Sequence, residues 1–285
     1  MQMKRKKFWI IFGSVIASVV VLCVIFALVF RLKTVDIEFR TRVAQANTNL
    51  GEDVQTKVLE SGEFEFGKNI LFMNFDENIK KIEKSNPYVK VEQAIRSFPN
   101  IVRVYISERI PKYRIKDSSE AKWYILDTEF KILDKIDEAS LKTEKVNGNS
   151  NFYDQTIEIT TTTLTLQSCY IGDFVESNII SYLSDITSGI YGKTKDFTVV
   201  KSIEINQAAQ SFLLTMRNTS LEDQKGCKID ISGYEDLYKK ALAAAVCFND
   251  GQIVDNASNR FENIPETLIQ VNKNDEGYYC LASTI

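Results

Sequence analysis

The chain divides into one long apolar run and a longer region of short segments in which apolar and polar residues alternate. Residues 8–30 contain no charged side chain. As a helix this run reaches about 34 Å, which is enough to cross a hydrocarbon core of about 30 Å. It ends in Phe30-Arg31-Leu32-Lys33, without an Ala-x-Ala cleavage pattern. We therefore expect an uncleaved transmembrane helix over 8–30 rather than a signal peptide.

The residues in and before this run predict its orientation and its packing. Lys4-Arg5-Lys6-Lys7 lies directly before it, so the positive-inside rule places the tail 1–7 in the cytoplasm and the rest of the chain outside. Gly13 and Ala17 are four residues apart, as are Ser14 and Ser18. Small residues at this spacing let a second helix approach closely. The alternative is that these four residues face lipid.

Residues 34–109 predict a small α+β domain. The predicted elements, in chain order, are a strand at Val35–Phe39, a helix within Gly51–Gly62, a helix capped by Asp76 and stopped by Asn86-Pro87, and strands at Val89–Ile95 and Val102–Ile106. Alternating apolar residues identify the strands, and apolar residues three or four apart identify the helices. We expect two helices to cover one face of a small mixed sheet.

Residues 110–285 predict a mostly antiparallel β domain with a late helix. The predicted strands are a β-branched strand from Ile157 to Thr165, a hairpin of Val199–Ile205 and Phe212–Met216, a strand at Lys228–Ser232, and a terminal hairpin of Leu268–Val271 and Tyr278–Leu281. A helix is predicted between the last two of these, starting from the capping box Ser232–Glu235. One face of this helix carries Leu237, Ala241, Ala244 and Phe248. These assignments rest on β-branched density, turn residues and the capping-box pattern. Because few residues follow the hairpin, its last strand is expected to be a sheet edge that can accept another chain's strand.

Composition and motifs argue against most enzymatic functions. The chain has no His, which excludes Ser-His-Asp triads, Cys-His pairs and His-ligated metals. It has no Gly-rich nucleotide-binding motif, and the Ser-x-x-Lys at 119–122 lacks the Lys-Thr-Gly of penicillin-binding sites. The net charge is −3 although residues 1–33 carry six cations and no acid. The exterior part is therefore acidic and unsuited to nucleic acid. We expect no catalytic site, no cofactor and no metal.

The cysteines leave two interpretations open. Cys23 lies in the apolar run, and the exterior cysteines are Cys169, Cys227, Cys247 and Cys280. Their spacings match no Cys-x-x-Cys motif for metal or redox chemistry. Disulfides are chemically possible outside the cytoplasm. The four exterior cysteines are therefore either buried apolar fillers or members of one or two disulfides.

Several ordered motifs carry a family resemblance. They are Pro87-Tyr88-Val89, Arg96-Ser97-Phe98-Pro99-Asn100, the alternating segment from Val102 to Glu108-Arg109-x-Pro111, and Tyr124-Ile125-Leu126-Asp127 followed by Phe130-Lys131-Ile132-Leu133. In this order, after a single span with a short basic tail, they resemble the POTRA domain and the adjoining β domain of the FtsQ/DivIB bacterial cell-division family. Two turns differ from the family pattern: Thr128-Glu129-Phe130 lacks the usual Gly, and Thr41 to Asn49 replaces a Gly-Asn.

The resemblance implies a non-catalytic bitopic scaffold of the divisome, placed in the cell membrane at the division septum. In this family the last strand and the preceding helix receive the C-terminal segment of FtsB/DivIC, which pairs with FtsL. The candidate contact residues here are Tyr278, Tyr279 and Leu281 on the strand, and Tyr234, Tyr238 and Lys239 on the helix. Aromatic side chains offer large contact area at low entropy cost. The alternative for each aromatic residue is internal packing.

Two other functions are compatible with a membrane-anchored exterior protein. One is a cell-wall enzyme with unusual carboxylate chemistry. Asp36 and Glu38 lie two residues apart on one strand face, but many solvated carboxylates share this spacing, so the pair does not indicate a glycosidase site. The other is a POTRA-type polypeptide receptor. A receptor is expected to have tandem POTRA units or a β-barrel, whereas this sequence predicts one such unit.

Overall fold

A computed structural model describes residues 2–40, 53–116, 122–143, 155–161, 166, 169–217, 227–250 and 267–284. The chain forms two compact units, which meet in sequence between Arg109 and Ile110. The predicted β-branched strand reaches residues 162–165, which lie outside the described residues, as do residues 119–121 of the Ser-x-x-Lys segment.

The first unit begins with a long apolar helix. Helix α1 spans Gln2–Val29, and its described side chains from residue 12 onward are exposed. Its segment Phe12–Val29 is long and apolar enough to cross a membrane. A helix that is apolar all round and not covered by protein requires an apolar surrounding. The structure thus places one candidate membrane span where the sequence predicts it.

The rest of the first unit has the predicted order of strand, helix, helix, strand and strand. The elements are β1 (Thr34–Phe39), α2 (Val54–Ser61), a 3₁₀ turn (Ile70–Phe72), α3 (Phe75–Ser85), β2 (Val89–Ser97) and β3 (Ile101–Glu108). The sheet order is β1-β3-β2, with β1 parallel and β2 antiparallel to β3. Both helices pack against one face of this sheet through buried Val58 and Ile82.

Two local details differ from the prediction. Helix α3 is capped by Asn74, whose side chain accepts a hydrogen bond from the Asp76 N–H, so Asp76 lies in the first turn instead. In β2 a bulge between Val91 and Gln93 shifts the register. Simple alternation from Val89 and Val91 would turn Ile95 toward the core. Since a one-residue insertion exchanges the two faces of a strand, Ala94 packs against the core instead.

Two motif arginines have structural roles. Arg96 donates from Nε to Ile70 O and from Nη2 to Met73 O, both at 2.7 Å, and so ties the loop before α3 to β2. Arg109 is buried and lies 3.3 Å from Glu83 Oε2. The other Glu83 oxygen accepts from the Val91 N–H at 2.8 Å, at the bulge. These arginines stabilise the fold of the first unit.

The second unit is built on one mixed sheet. Its elements are β4 (Tyr113–Lys116), β5 (Lys122–Leu126), β6 (Ile132–Asp137), α4 (Glu138–Thr143), β7 (Ile157–Thr161), α5 (Asn178–Thr194), β8 (Val200–Asn206), β9 (Ser211–Met216), β10 (Lys228–Ser232), α6 (Leu237–Asp250), β11 (Thr267–Asn274) and β12 (Gly277–Thr284). The strand order is β12-β11-β10-β9-β8-β7-β4-β5-β6. The pairs β4–β7, β7–β8 and β10–β11 are parallel and the other five are antiparallel. The chain is therefore α+β, with the mostly antiparallel sheet and the late helix that the sequence predicts.

Helices α5 and α6 share one core with the sheet. Leu183, Ile186 and Ile190 of α5 and Ala241 and Ala244 of α6 are buried in it. Each helix connects two neighbouring parallel strands, as a parallel connection requires. The sequence did not lead us to expect α5. The spacing of its buried residues and the Ser177 N-cap, whose hydroxyl accepts from the Ile179 N–H, are the signals that could have identified it.

The predicted capping box before α6 is wrong. Ser232 ends β10, and the helix begins only at Leu237. Gly233 and Asp236 both adopt left-handed conformations, with φ of 74° and 54°, so the chain turns twice between strand and helix. Lys240 of α6 stabilises this turn, because its Nζ donates a hydrogen bond to Ser232 O at 2.6 Å. The predicted buried residues Leu237, Ala241 and Ala244 are confirmed, and Phe248 packs against the same core.

Candidate functional site

The candidate site is the outer strand of the large sheet. β12 is the last strand in the sheet order and pairs only with β11 among the described residues. The two strands pair along their whole length, from Thr267 opposite Thr284 to Asn274 opposite Gly277. The Asn274 side chain accepts from the Glu276 and Gly277 N–H groups and holds the connecting turn. An edge strand of this kind presents a row of unpaired N–H and C=O groups on its outer side.

The two faces of β12 differ in exposure. Tyr278 and Cys280 are half-buried on the face that carries the core, and Cys280 packs against that core. Tyr279 and Leu281 lie on the other face, 41% and 47% exposed. Successive side chains of a strand point to opposite faces, so the predicted pair of tyrosines is divided between the two faces. Of the three predicted strand contacts, Tyr279 and Leu281 are available to a partner on the open face.

Tyr278 has internal contacts with the turn before α6. Its hydroxyl donates to Asp236 Oδ2 at 2.9 Å, and Lys273 Nζ lies 5.4 Å from the centre of its ring. The hydrogen bond from Tyr278, followed by the charge of Lys239, lowers the pKa of the Asp236 carboxyl below its ordinary value. Burial and the same hydrogen bond raise the pKa of the Tyr278 hydroxyl. This pair therefore ties β12 to the start of α6.

The predicted helix contacts fall into two groups. Tyr234 precedes α6 and stacks on Tyr182 of α5, with ring centres 4.5 Å apart and planes 7° from parallel, so its ring is used inside the protein. Tyr238 and Lys239 lie in the first turn of α6 and are exposed. Lys239 lies 3.5 Å from Asp236. The structure thus brings Tyr238, Lys239 and Tyr278 to the same turn.

A close helix crossing positions this turn, and the sequence analysis missed it. A Cβ added to Gly189 of α5 would lie 2.5 Å from the Tyr238 carbonyl oxygen and 2.7 Å from the Ala241 Cβ. A carbon atom that forms no bond to these neighbours does not approach them so closely, hence only glycine lets α6 lie this near to α5. Asp236 and Lys240 were also missed. Their side chains fix the turn and β12, but no sequence motif marks them.

The predicted helix-packing residues lie on α1. Gly13, Ser14, Ala17 and Ser18 are exposed, and no atom lies within 4 Å of a Cβ added to Gly13. Residues four apart on a helix lie on the same face, so Gly13 lies in line with Ala17 and Ser14 with Ser18. Association through this face remains a prediction.

The described residues of the site offer groups for binding. No group of three His, Cys, Asp or Glu residues within the described part of the chain could hold a metal ion. The thiols of Cys247 and Cys280 are hydrogen-bonded to each other, and this contact together with burial raises the pKa of Cys280. A thiol with a raised pKa is a poor nucleophile at neutral pH. The arrangement offers main-chain hydrogen bonds and apolar side chains to another polypeptide.

Comparison with known proteins agrees with the motif analysis. No protein-family model matches the chain. A curated relative, Cell division protein DivIB of Clostridium tetani (strain Massachusetts / E88), is 28% identical over 111 residues. The aligned part covers 39% of this chain and 40% of the relative, so it spans less than half of either protein. This similarity confirms the predicted resemblance to the FtsQ/DivIB family and supports a role in cell division.

Proposed function

We propose that the chain is a non-catalytic scaffold of the bacterial divisome, anchored in the cell membrane by α1 with its basic tail in the cytoplasm. In this proposal β12 accepts the C-terminal segment of an FtsB/DivIC-like protein, which brings an FtsL-like protein with it. The single observation that carries the proposal is the outer side of β12, which pairs with no further strand within the described residues and is flanked by exposed Tyr279 and Leu281. The similarity to DivIB supports the process in which such a scaffold would act.

Strand addition explains how this edge would bind. An extended segment laid beside β12 pairs its main-chain groups with the outer N–H and C=O groups, and its side chains meet those of β12 on both faces. A hydrogen bond contributes about 1 kcal/mol net. Three such bonds therefore contribute about 3 kcal/mol, or roughly a 100-fold gain in affinity. Tyr279 and Leu281 add apolar contact on the open face, and Tyr238 and Lys239 are the candidates for contact beside α6.

The membrane anchor makes the scaffold effective. When the chain and its partners are confined to a thin layer at the membrane, their effective concentration for one another is higher than in free solution. A moderate affinity at β12 is then enough to hold the partners together. The acidic charge of residues 34–285 favours a partner segment that carries Lys or Arg.

A paired substitution tests the proposed contact. We expect Tyr279→Ala combined with Leu281→Ala to weaken capture of the FtsB/DivIC-like partner by about 10- to 100-fold, since two interface side chains that each contribute about 0.7–1.4 kcal/mol together give this change. Tyr170→Ala is the matched control, because Tyr170 is 76% exposed and its neighbour Gly172 pairs with β6 at the other edge of the sheet. The full chain in detergent is used, and capture is measured by surface plasmon resonance.

The outcomes separate the proposal from its alternatives. Capture that survives the double substitution would remove β12 as the docking strand. A fluorescent fusion spread evenly over the cell envelope, instead of at the septum, would contradict the divisome role. Depletion of the protein is expected to give filamentous cells, whereas a polypeptide receptor would lose one export or uptake activity. Cleavage or extension of peptidoglycan by the purified chain would establish an enzyme.

A further inference from the structure

Three loops of the first unit meet where α1 ends. Residues 64–72 are bonded to the segment after α1: the Leu32 N–H donates to Lys68 O at 2.8 Å and the Ile70 N–H to Phe30 O at 2.8 Å. The turn 98–100 between β2 and β3 joins them, because the Lys33 N–H donates to Asn100 O at 2.9 Å. These main-chain bonds fix the loops at the level of the last turn of α1.

The same end of the unit carries three exposed phenylalanines. Phe72 is 81% exposed, Phe98 60% and Phe66 56%. Phe98 packs edge-on against Phe30 at 5.7 Å between ring centres, and Phe30 lies 4.6 Å from Phe26 of α1. An aromatic series therefore runs from the last turn of α1 onto the β2–β3 turn. We name Phe66, Phe72 and Phe98 the phenylalanine collar.

The collar lies at the depth where the apolar run of the chain ends. Asn69 Nδ2 donates to Phe26 O at 3.5 Å, so the loop that carries Phe66 and Phe72 reaches the last turn of the candidate span. Phe30 is the last residue of the uncharged run, and Arg31 and Lys33 follow it with exposed side chains. Cations directly outside a span lie at the phosphate level of a bilayer. In a chain whose α1 crosses a bilayer, aromatic rings beside these cations would lie at the boundary between the headgroups and the acyl chains.

We propose that the phenylalanine collar inserts into the interfacial region of the phospholipid bilayer and holds the first unit against the membrane. The inference rests on the proposed anchoring by α1. Its occupant is lipid, because the collar continues the surface of α1 and is flanked by cations that suit phosphate groups. The nearest acid on the collar loop, Glu65, is already paired with Lys68 at 2.9 Å and so adds little repulsion toward anionic lipid.

Photo-crosslinking to lipid tests the collar in the full chain. A benzophenone amino acid is placed at position 72, and the protein is reconstituted in nanodiscs of phosphatidylcholine and phosphatidylglycerol that contain an alkyne-tagged phospholipid. Phe39 is the matched control residue. It is also exposed and ends β1, about 17 Å from the α1 side at about 3.3 Å per residue. Position 22 of α1, also exposed, serves as the control for the span.

The three positions give distinguishable results. We expect lipid labelling at positions 72 and 22, at least fivefold above that at position 39. Strong lipid labelling at position 22, together with labelling at position 72 that is no higher than at position 39, would overturn the collar and leave the anchor intact. Labelling at neither 22 nor 72 would overturn both. A crosslink from position 72 to a second copy of the chain, instead of to lipid, would also overturn the proposal.

Discussion

The two edges of the nine-stranded sheet are completed in different ways. At the β6 edge the chain covers its own strand: the Ile132 N–H donates to Asp173 O at 2.9 Å, and the Gly172 N–H donates to Ile132 O at 2.8 Å. Leu141 of α4 is buried beside the same strand with Trp123 and Ile136. At the β12 edge the described part of the chain provides no such cover. Uncovered edges favour aggregation, so the proposed docking of a partner at β12 would also protect this edge.

Removing the open edge is expected to have the largest effect. Deletion of residues 277–285 takes away β12, the proposed docking strand. We expect capture of the FtsB/DivIC-like partner to fall by at least about 100-fold, the equivalent of roughly three main-chain hydrogen bonds. Binding is measured in detergent with the full-length chain as the reference. In a Trp9→Phe background, the fluorescence of Trp123 reports whether the distant part of the sheet stays folded. Undiminished capture would refute the assignment of the docking strand.

The same substitution at the two edges separates stability from binding. Leu141→Ala removes a buried side chain beside β6, and we expect it to lower the free energy of unfolding by about 2 kcal/mol with capture unchanged. Leu281→Ala removes an exposed side chain on β12, and we expect less than about 0.5 kcal/mol with weakened capture. Denaturant unfolding, followed by Trp123 fluorescence in the same Trp9→Phe background, gives the free energy of unfolding, and surface plasmon resonance gives the capture affinity. Equal effects of the two variants on capture would contradict the comparison of the edges.

The sequence predicts the open edge better than the covered one. Alternation and turn residues identify β11, β12 and their connection, and all three are confirmed. The cover of β6 cannot be predicted in this way, since it comes from loop residues such as Gly172 and Asp173 that have no periodic pattern. Contacts of this kind are set by tertiary packing and not by local propensity.

The same limit applies to individual side chains at the site. Alternation predicts that Tyr278 and Tyr279 point to opposite faces, but not which of the two is exposed. That choice depends on the face against which α6 packs, and the close approach at Gly189 fixes α6. The sequence motifs identify Arg96 and Arg109 but do not reveal their roles. In the structure both arginines make contacts within the first unit, Arg96 with the Ile70 carbonyl and Arg109 with Glu83.

A smaller effect is expected where β12 is tied to the turn before α6. Tyr278→Phe removes the hydrogen bond that contributes most to the lowered pKa of Asp236. The pKa of Asp236 should therefore rise toward its ordinary value, so that the carboxylate is protonated at a higher pH than in the parent chain. Carboxyl chemical shifts of aspartate-labelled protein, followed by NMR across pH 2–6, measure this change.

Lys239→Gln is the graded control for this titration. The charge of Lys239 is the second cause of the lowered pKa of Asp236, so we expect a smaller rise. A larger rise with Lys239→Gln than with Tyr278→Phe would show that charge, and not the Tyr278 hydrogen bond, dominates. Capture of the partner should be nearly unchanged by Tyr278→Phe, since the ring remains on the inner face of β12.

The smallest effect concerns reaction rate at the inner face of the same strand. The hydrogen bond to Cys247 and burial raise the pKa of Cys280. At pH 8 the thiolate fraction is therefore lower than in the unfolded chain, and the thiolate is the species that reacts with iodoacetamide. We expect alkylation of Cys280 in the reduced native protein to be at least about tenfold slower than in denaturant, measured by mass spectrometry of the peptide. Equal rates would mean that Cys280 is as accessible in the folded protein as in denaturant. The contrast between the packed face of β12, which carries Cys280, and its exposed face, which carries Tyr279 and Leu281, would then fail.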